Sequence, residues 1–102
     1  MTDRLLVELD RALDTGLSGP RPADAVLTVC RGLAALTAGE DLNHAAAGTW
    51  ALERLPAEHR PVIAAALAGA TEWDPGALRR FRTFAVGAAV RRRPGRKVAG
   101  LP

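Results

Sequence analysis

Alanine and leucine recur every three or four residues along this chain, and glycine and proline cut the pattern at intervals. Such a chain can bury its apolar surface in one way, as short helices packed on one another. The first predicted helix runs from about Asp3 to Thr15. Thr2 caps it, Asp3 suits its positive end and Gly16 stops it. Leu5, Leu6, Leu9 and Leu13 make one apolar stripe, and the breakers from Gly16 to Pro22 make a loop. A second helix begins near Ala23 and ends at Gly39. Val26, Leu27, Cys30, Leu33, Ala34 and Leu36 or Thr37 line its inner face, which is wide enough to mark a central helix.

Asn43 caps a third helix that reaches Leu55, with Trp50, Ala51 and Leu55 inward. Pro56 ends it, because the residue before a proline resists the α region. The fourth helix is expected over Ala57 to Ala70, with Pro61 in its first turn. Its inner face is Val62, Ile63, Ala66, Leu67 and Ala70. Asp74 followed by Pro75 starts a fifth. Leu78, Phe81, Ala85 and Ala88 point inward there, Phe84 flanks them, and the helix should fray after Val90. No run alternates β-branched and polar residues, and no segment repeats. The reading is all-α: a five-helix bundle with no strands, residues 1–93 forming one domain and 94–102 a disordered basic tail.

Aromatics make up only 4% of the chain, with no tyrosine, so the core must be Leu, Val, Ile and Ala. Burying each Leu or Ile contributes roughly 1.5–3 kcal/mol, which ordering entropy largely offsets, so a domain this small is expected to be marginally stable alone. The single Cys30 has no cysteine partner for a disulfide or metal site and sits in an apolar run, as a buried structural thiol does. No apolar run approaches the ~20 residues that span a bilayer, and Asp3, Glu8 and Asp10 interrupt any N-terminal signal. A cytoplasmic protein with no membrane partner is expected. His59, within Pro-Ala-Glu-His-Arg-Pro, is expected to be exposed and without chemistry.

The net charge of +3 hides an asymmetry. All 11 acidic residues lie at or before Asp74, whereas Arg79, Arg80, Arg82, Arg91, Arg92, Arg93, Arg96 and Lys97 follow with no acid among them. One consequence could be a polyanion-binding helix and tail. No aromatic interleaves the basic tail and no recognition helix is evident, so specific nucleic-acid binding is not expected.

Two blocks carry a resemblance. Val26 to Glu40 reads VLTVCRGLAALTAGE, and Trp50 to Ile63 reads WALERLPAEHRPVI. Together, in this order and separation, they resemble the C-terminal domain of streptomycin/spectinomycin adenylyltransferases, most strongly over residues 24–68. That family has an aliphatic helix ending in Leu-Thr-x-x-Arg, then Trp-Ala-x-Glu-Arg-Leu-Pro. Much of the motif is structural, since Trp50 docks between helices and Leu55-Pro56 sets a turn.

The resemblance implies a helical domain that closes a cleft over drug and triphosphate, in enzymes that transfer AMP from ATP to streptomycin or spectinomycin and so confer antibiotic resistance. It implies ATP and Mg²⁺ only together with a nucleotidyltransferase domain, which brings a Gly-Ser signature and an Asp-x-Asp pair as hard oxygen ligands. This sequence has neither, so no cofactor and no catalytic residue is expected in it, and adenylyl transfer by this chain alone is not expected. Glu8-x-Asp10 points its carboxylates some 200° apart on a helix, a solvated face rather than a metal site. Glu72-x-Asp74 reads as capping.

Carried over position by position, the phosphate-holding arginine is Arg31, a guanidinium suited to bidentate oxygen binding. The phosphate-binding lysine corresponds to His44, a residue type largely uncharged at neutral pH. The family's phosphate-contacting tyrosine falls at Ala70, and its drug-binding acid falls at Arg21, with Asp24 as the nearby carboxylate. The expected partners are an aminoglycoside, ATP and a separate nucleotidyltransferase domain. The competing classes are a polyanion-binding module and a scaffold bundle whose exposed apolar faces await a partner.

Overall fold

The structure, a computed structural model, describes residues 2–92 of the chain. Five α-helices follow in order and no strand occurs among these residues: α1 Thr2–Asp14, α2 Pro22–Ala38, α3 His44–Arg54, α4 Arg60–Leu67 and α5 Pro75–Arg92. Single 3-10 turns, Gly16–Ser18 and Ala57–His59, precede α2 and α4. The expected tail 94–102 lies outside the described residues, as do the side chains of Leu5 and Leu6.

The hub is α2, which packs against all four other helices. Val26, Val29, Cys30 and Ala34 are fully buried on it, and Ala25, Leu27 and Leu33 nearly so. A helix apolar on so much of its circumference can only be central. Burial pushes the Cys30 thiol up to about 12, as an inert structural cysteine requires. Pro22 opens α2, and Gly39 closes it in the left-handed region at φ 67°. Its N–H and that of Glu40 return to the carbonyls of Ala35 and Ala34 at 3.1 and 3.2 Å. Gly32 is the point of closest approach between α1 and α2, where a Cβ would lie 2.9 Å from that of Leu9. Leu9, Ala12 and Leu13 bury the inner stripe of α1 against that surface.

The caps follow local chemistry. Asn43 Oδ1 accepts from Ala46 N–H at 2.8 Å to start α3, and Asp74 Oδ1 accepts from Gly76 N–H at 3.0 Å to start α5. Phe81, Ala85 and Ala89 are the buried residues of α5, with Leu78, Phe84 and Ala88 half-buried beside them. The Nε of Arg82 donates to the Leu13 carbonyl at 2.6 Å, at the end of α1 where carbonyls lack helical partners. That bond ties the last helix to the first.

Three expectations fail. The fourth helix does not run from Ala57 to Ala70: a 3-10 turn occupies its first residues, and α4 stops at Leu67, where Gly69 takes a φ of 70°. The fifth continues to Arg92 rather than fraying after Val90. His59 is not exposed but buried, at 2%. It stands three and four residues before the buried Val62 and Ile63, so it shares their inward face despite its polar neighbours. Its ring lies 5.7 Å from that of Phe81, edge-on, and 4.8 Å from that of Phe84.

Candidate functional site

Asp24, Thr28 and Arg31 are spaced four and three residues apart on α2, which puts them in one row on its solvent side. The row rises about 10 Å along the axis at ~1.5 Å per residue. It is the polar edge of a helix whose other faces are buried, so every group on it is held on a rigid support.

At the C-terminal end of the row, the Arg31 guanidinium is fixed at one point and loosely engaged at two. Its Nε donates to the Leu42 carbonyl at 2.8 Å. Its terminal nitrogens stand 3.9 Å from Glu8 on α1 and 3.9 Å from Asp41 in the loop before α3. The strong bond sets the plane of the fork, while the two long ion pairs, partly exposed, contribute little. In the middle of the row, Thr28 Oγ1 and His44 Nε2 are 3.4 Å apart, joining α2 to the first residue of α3. At the N-terminal end, Asp24 faces Arg21 at 3.7 Å, both largely exposed.

Two hollows adjoin the row. A cleft of about 540 Å³ between α1, α2 and the Gly16–Pro22 loop is lined by Glu8, Arg11, Thr15, Arg21, Asp24 and Thr28 among others. A second, of about 330 Å³, brings Arg21 and Asp24 against Ala70 and Trp73. Of the positions carried over from the resemblance, Asp24 and Arg31 lie on the row, Arg21 stands at its start, His44 meets it through Thr28, and Ala70 shares the smaller hollow with Arg21 and Asp24. These neighbourhoods are a matter of fold, since the residues come from two helices and two loops.

The family comparison decides the ancestry. A family model of the aminoglycoside adenylyltransferase C-terminal domain matches residues 2–81, from the start of α1 into α5. The chain belongs to this family. Comparison with curated proteins and with solved structures gave no match. As a member of the family the chain keeps its helical scaffold, and the row on α2 is where the scaffold offers polar groups.

Sequence reasoning missed Glu8 and Asp41, which approach Arg31 only because α1 and the 39–43 loop fold onto α2. Glu8 is thus more than part of a solvated face. Thr28 could have been found, since it sits in register between Asp24 and Arg31. Among the described residues no group of three or more His, Cys, Asp or Glu could hold a metal ion. Nor is any described helix long and apolar enough to cross a membrane.

Proposed function

We propose that this domain forms the ligand-closing half of an aminoglycoside nucleotidyltransferase site and performs no chemistry alone. In this reading Arg31 receives triphosphate oxygens and His44 lies beside them. Asp24 and the neighbouring carboxylates meet the ammonium groups of a streptomycin-like drug. A nucleotidyltransferase domain supplies the carboxylates, the Mg²⁺ and the adenylyl transfer, in the cytoplasm where ATP is held, and the result is antibiotic resistance.

One observation carries the reading. Arg31 is anchored through Nε and leaves both terminal nitrogens in contacts of 3.9 Å, long enough to exchange for a phosphate. An arginine oriented this way binds paired oxygens without first losing rotamer freedom. The acceptor side is supported by the ~540 Å³ cleft, whose lining includes the carboxylates of Glu8 on α1 and Asp24 on α2. Arg11 and Arg21 line the same cleft, so its charge is mixed, and the two carboxylates are the groups that would meet ammonium groups of a drug.

The test is calorimetric titration of the chain with ATP and with streptomycin, separately and together. Saturable binding of ATP that Arg31→Gln weakens roughly tenfold, the loss of about one charge-assisted hydrogen bond, supports the assignment. Heat with neither ligand, or an unchanged ATP affinity in Arg31→Gln, overturns it.

A further inference from the structure

On the other border of Trp73 lies a groove of about 410 Å³, closed by Leu17, Pro22, Pro75 and Leu78 and edged by Arg79 and Arg82. Its volume falls in the ~300–1,000 Å³ range of small-molecule sites. We propose that it binds a small amphipathic anion, an aromatic or aliphatic body carrying one carboxylate. The proposal is independent of the row on α2.

Three observations support it. The walls are already set: Trp73 Nε1 donates to the Ala70 carbonyl at 3.1 Å, which holds the indole in place, and two prolines fix the backbone on either side. A preformed apolar slot needs little ordering when a flat ring enters. The charges are of one sign. Among the described residues Arg79 and Arg82 are the only charged ones lining it, in contrast to the mixed charges of the larger cleft. They are also unneutralised. Neither forms an ion pair among the described residues, and Asp74, at the start of the same helix, is turned to the Gly76 N–H.

Arg79 and Arg82 are three residues apart and share one side of α5. Arg82 is oriented by its Nε bond to Leu13 O, and the Arg79 side chain makes no hydrogen bond to another described residue. A carboxylate at the rim would meet both guanidinium groups while its apolar body lies against Trp73 and Leu78. A polycationic aminoglycoside is repelled there, so the two sites take ligands of opposite charge.

Naphthoate, naphthylmethanol and naphthylmethylamine share one ring system and differ in charge, which makes them suitable probes for the full chain. Binding is followed by saturation-transfer NMR and tryptophan fluorescence. Naphthoate should bind saturably and roughly fivefold more tightly than the alcohol, with the amine weakest, as one exposed ion pair implies. Arg79→Gln should cut that preference to about twofold, with Arg82 still in place, and leave the alcohol unchanged. Because Arg79 holds nothing together, this variant keeps its fold, and an unaltered melting temperature verifies it. Trp73→Leu should weaken all three probes. Equal affinity for acid and alcohol, a preference undiminished in Arg79→Gln, or no saturable binding of naphthoate each overturns the proposal.

Discussion

The two sides of α2 obey different rules. One side, from Val26 to Ala34, is buried against four helices and speaks in volume and shape. The other, Asp24 to Arg31, is wet, and its groups are held by single bonds and long ion pairs. A substitution on the first side should threaten the fold and leave no ligand-specific signature. A substitution on the second should do the reverse. That separation is what lets a scaffold persist while its ligand contacts change.

The largest effect is expected from Leu33→Ala. Leu33 is 1% exposed in the middle of the hub. Removing it leaves a cavity that costs about 2–5 kcal/mol, which lowers the melting temperature of a domain this size by about 10 °C or more. Calorimetry checks it. A drop of under about 3 °C would mean that α2 is not the hub, and the contrast between its sides would fail with it.

His59 tests whether the buried side tolerates a polar group only while it stays neutral. Burial pulls its pKa below the usual 6.5, Glu58 3.3 Å away pulls it up, and Arg80 pulls it down. The net direction is down. The unfolded chain then binds a proton at a higher pH than the folded one, so the contribution is fully present above pH 6.5 and is lost as pH falls below that. Wild type should lose melting temperature between pH 7 and 5 by more than His59→Phe, in which a third ring lies beside Phe81 and Phe84. Parallel pH profiles for the two would show that His59 does not titrate against the fold.

How much of this could be seen in the chain beforehand divides along the same line. The inner face of α2, its stop at Gly39 and the caps at Asn43 and Asp74 were legible, because period and local hydrogen bonding act over a few residues. The depth of His59 was hidden by its Glu and Arg neighbours, although its spacing to Val62 and Ile63 carried the signal. The surroundings of Arg31 were not legible at all. Glu8 lies 23 positions away and reaches it only after α1 has docked through Leu9 on Gly32. Local rules cannot report contacts that tertiary packing creates.

Asn43→Ala falls between the two sides, since Asn43 begins the helix that carries His44. Loss of its bond to Ala46 N–H should cost ~1 kcal/mol, typical of an N-cap, and lower the melting temperature by about 4–8 °C. If the polar row depends on where α3 starts, ATP affinity should fall with it. If affinity is unchanged while stability drops, His44 plays no part in the phosphate contact and Arg31 acts without it.

The smallest effect is also the most discriminating, because its sign differs between ligands. Glu8 stands 3.9 Å from Arg31 and is partly exposed, a pairing worth only ~0.2–1 kcal/mol. Glu8→Gln should therefore change stability by less than about 0.5 kcal/mol. It frees one terminal nitrogen of Arg31 and removes a carboxylate from the cleft. Triphosphate affinity should then rise about two- to fivefold, while affinity for a cationic aminoglycoside falls by a similar factor. Calorimetric titration of both ligands into both proteins resolves changes of that size. If the two affinities move together, Glu8 acts on the shape of the cleft rather than its charge. In that case the wet side of α2 follows the rule of the buried side.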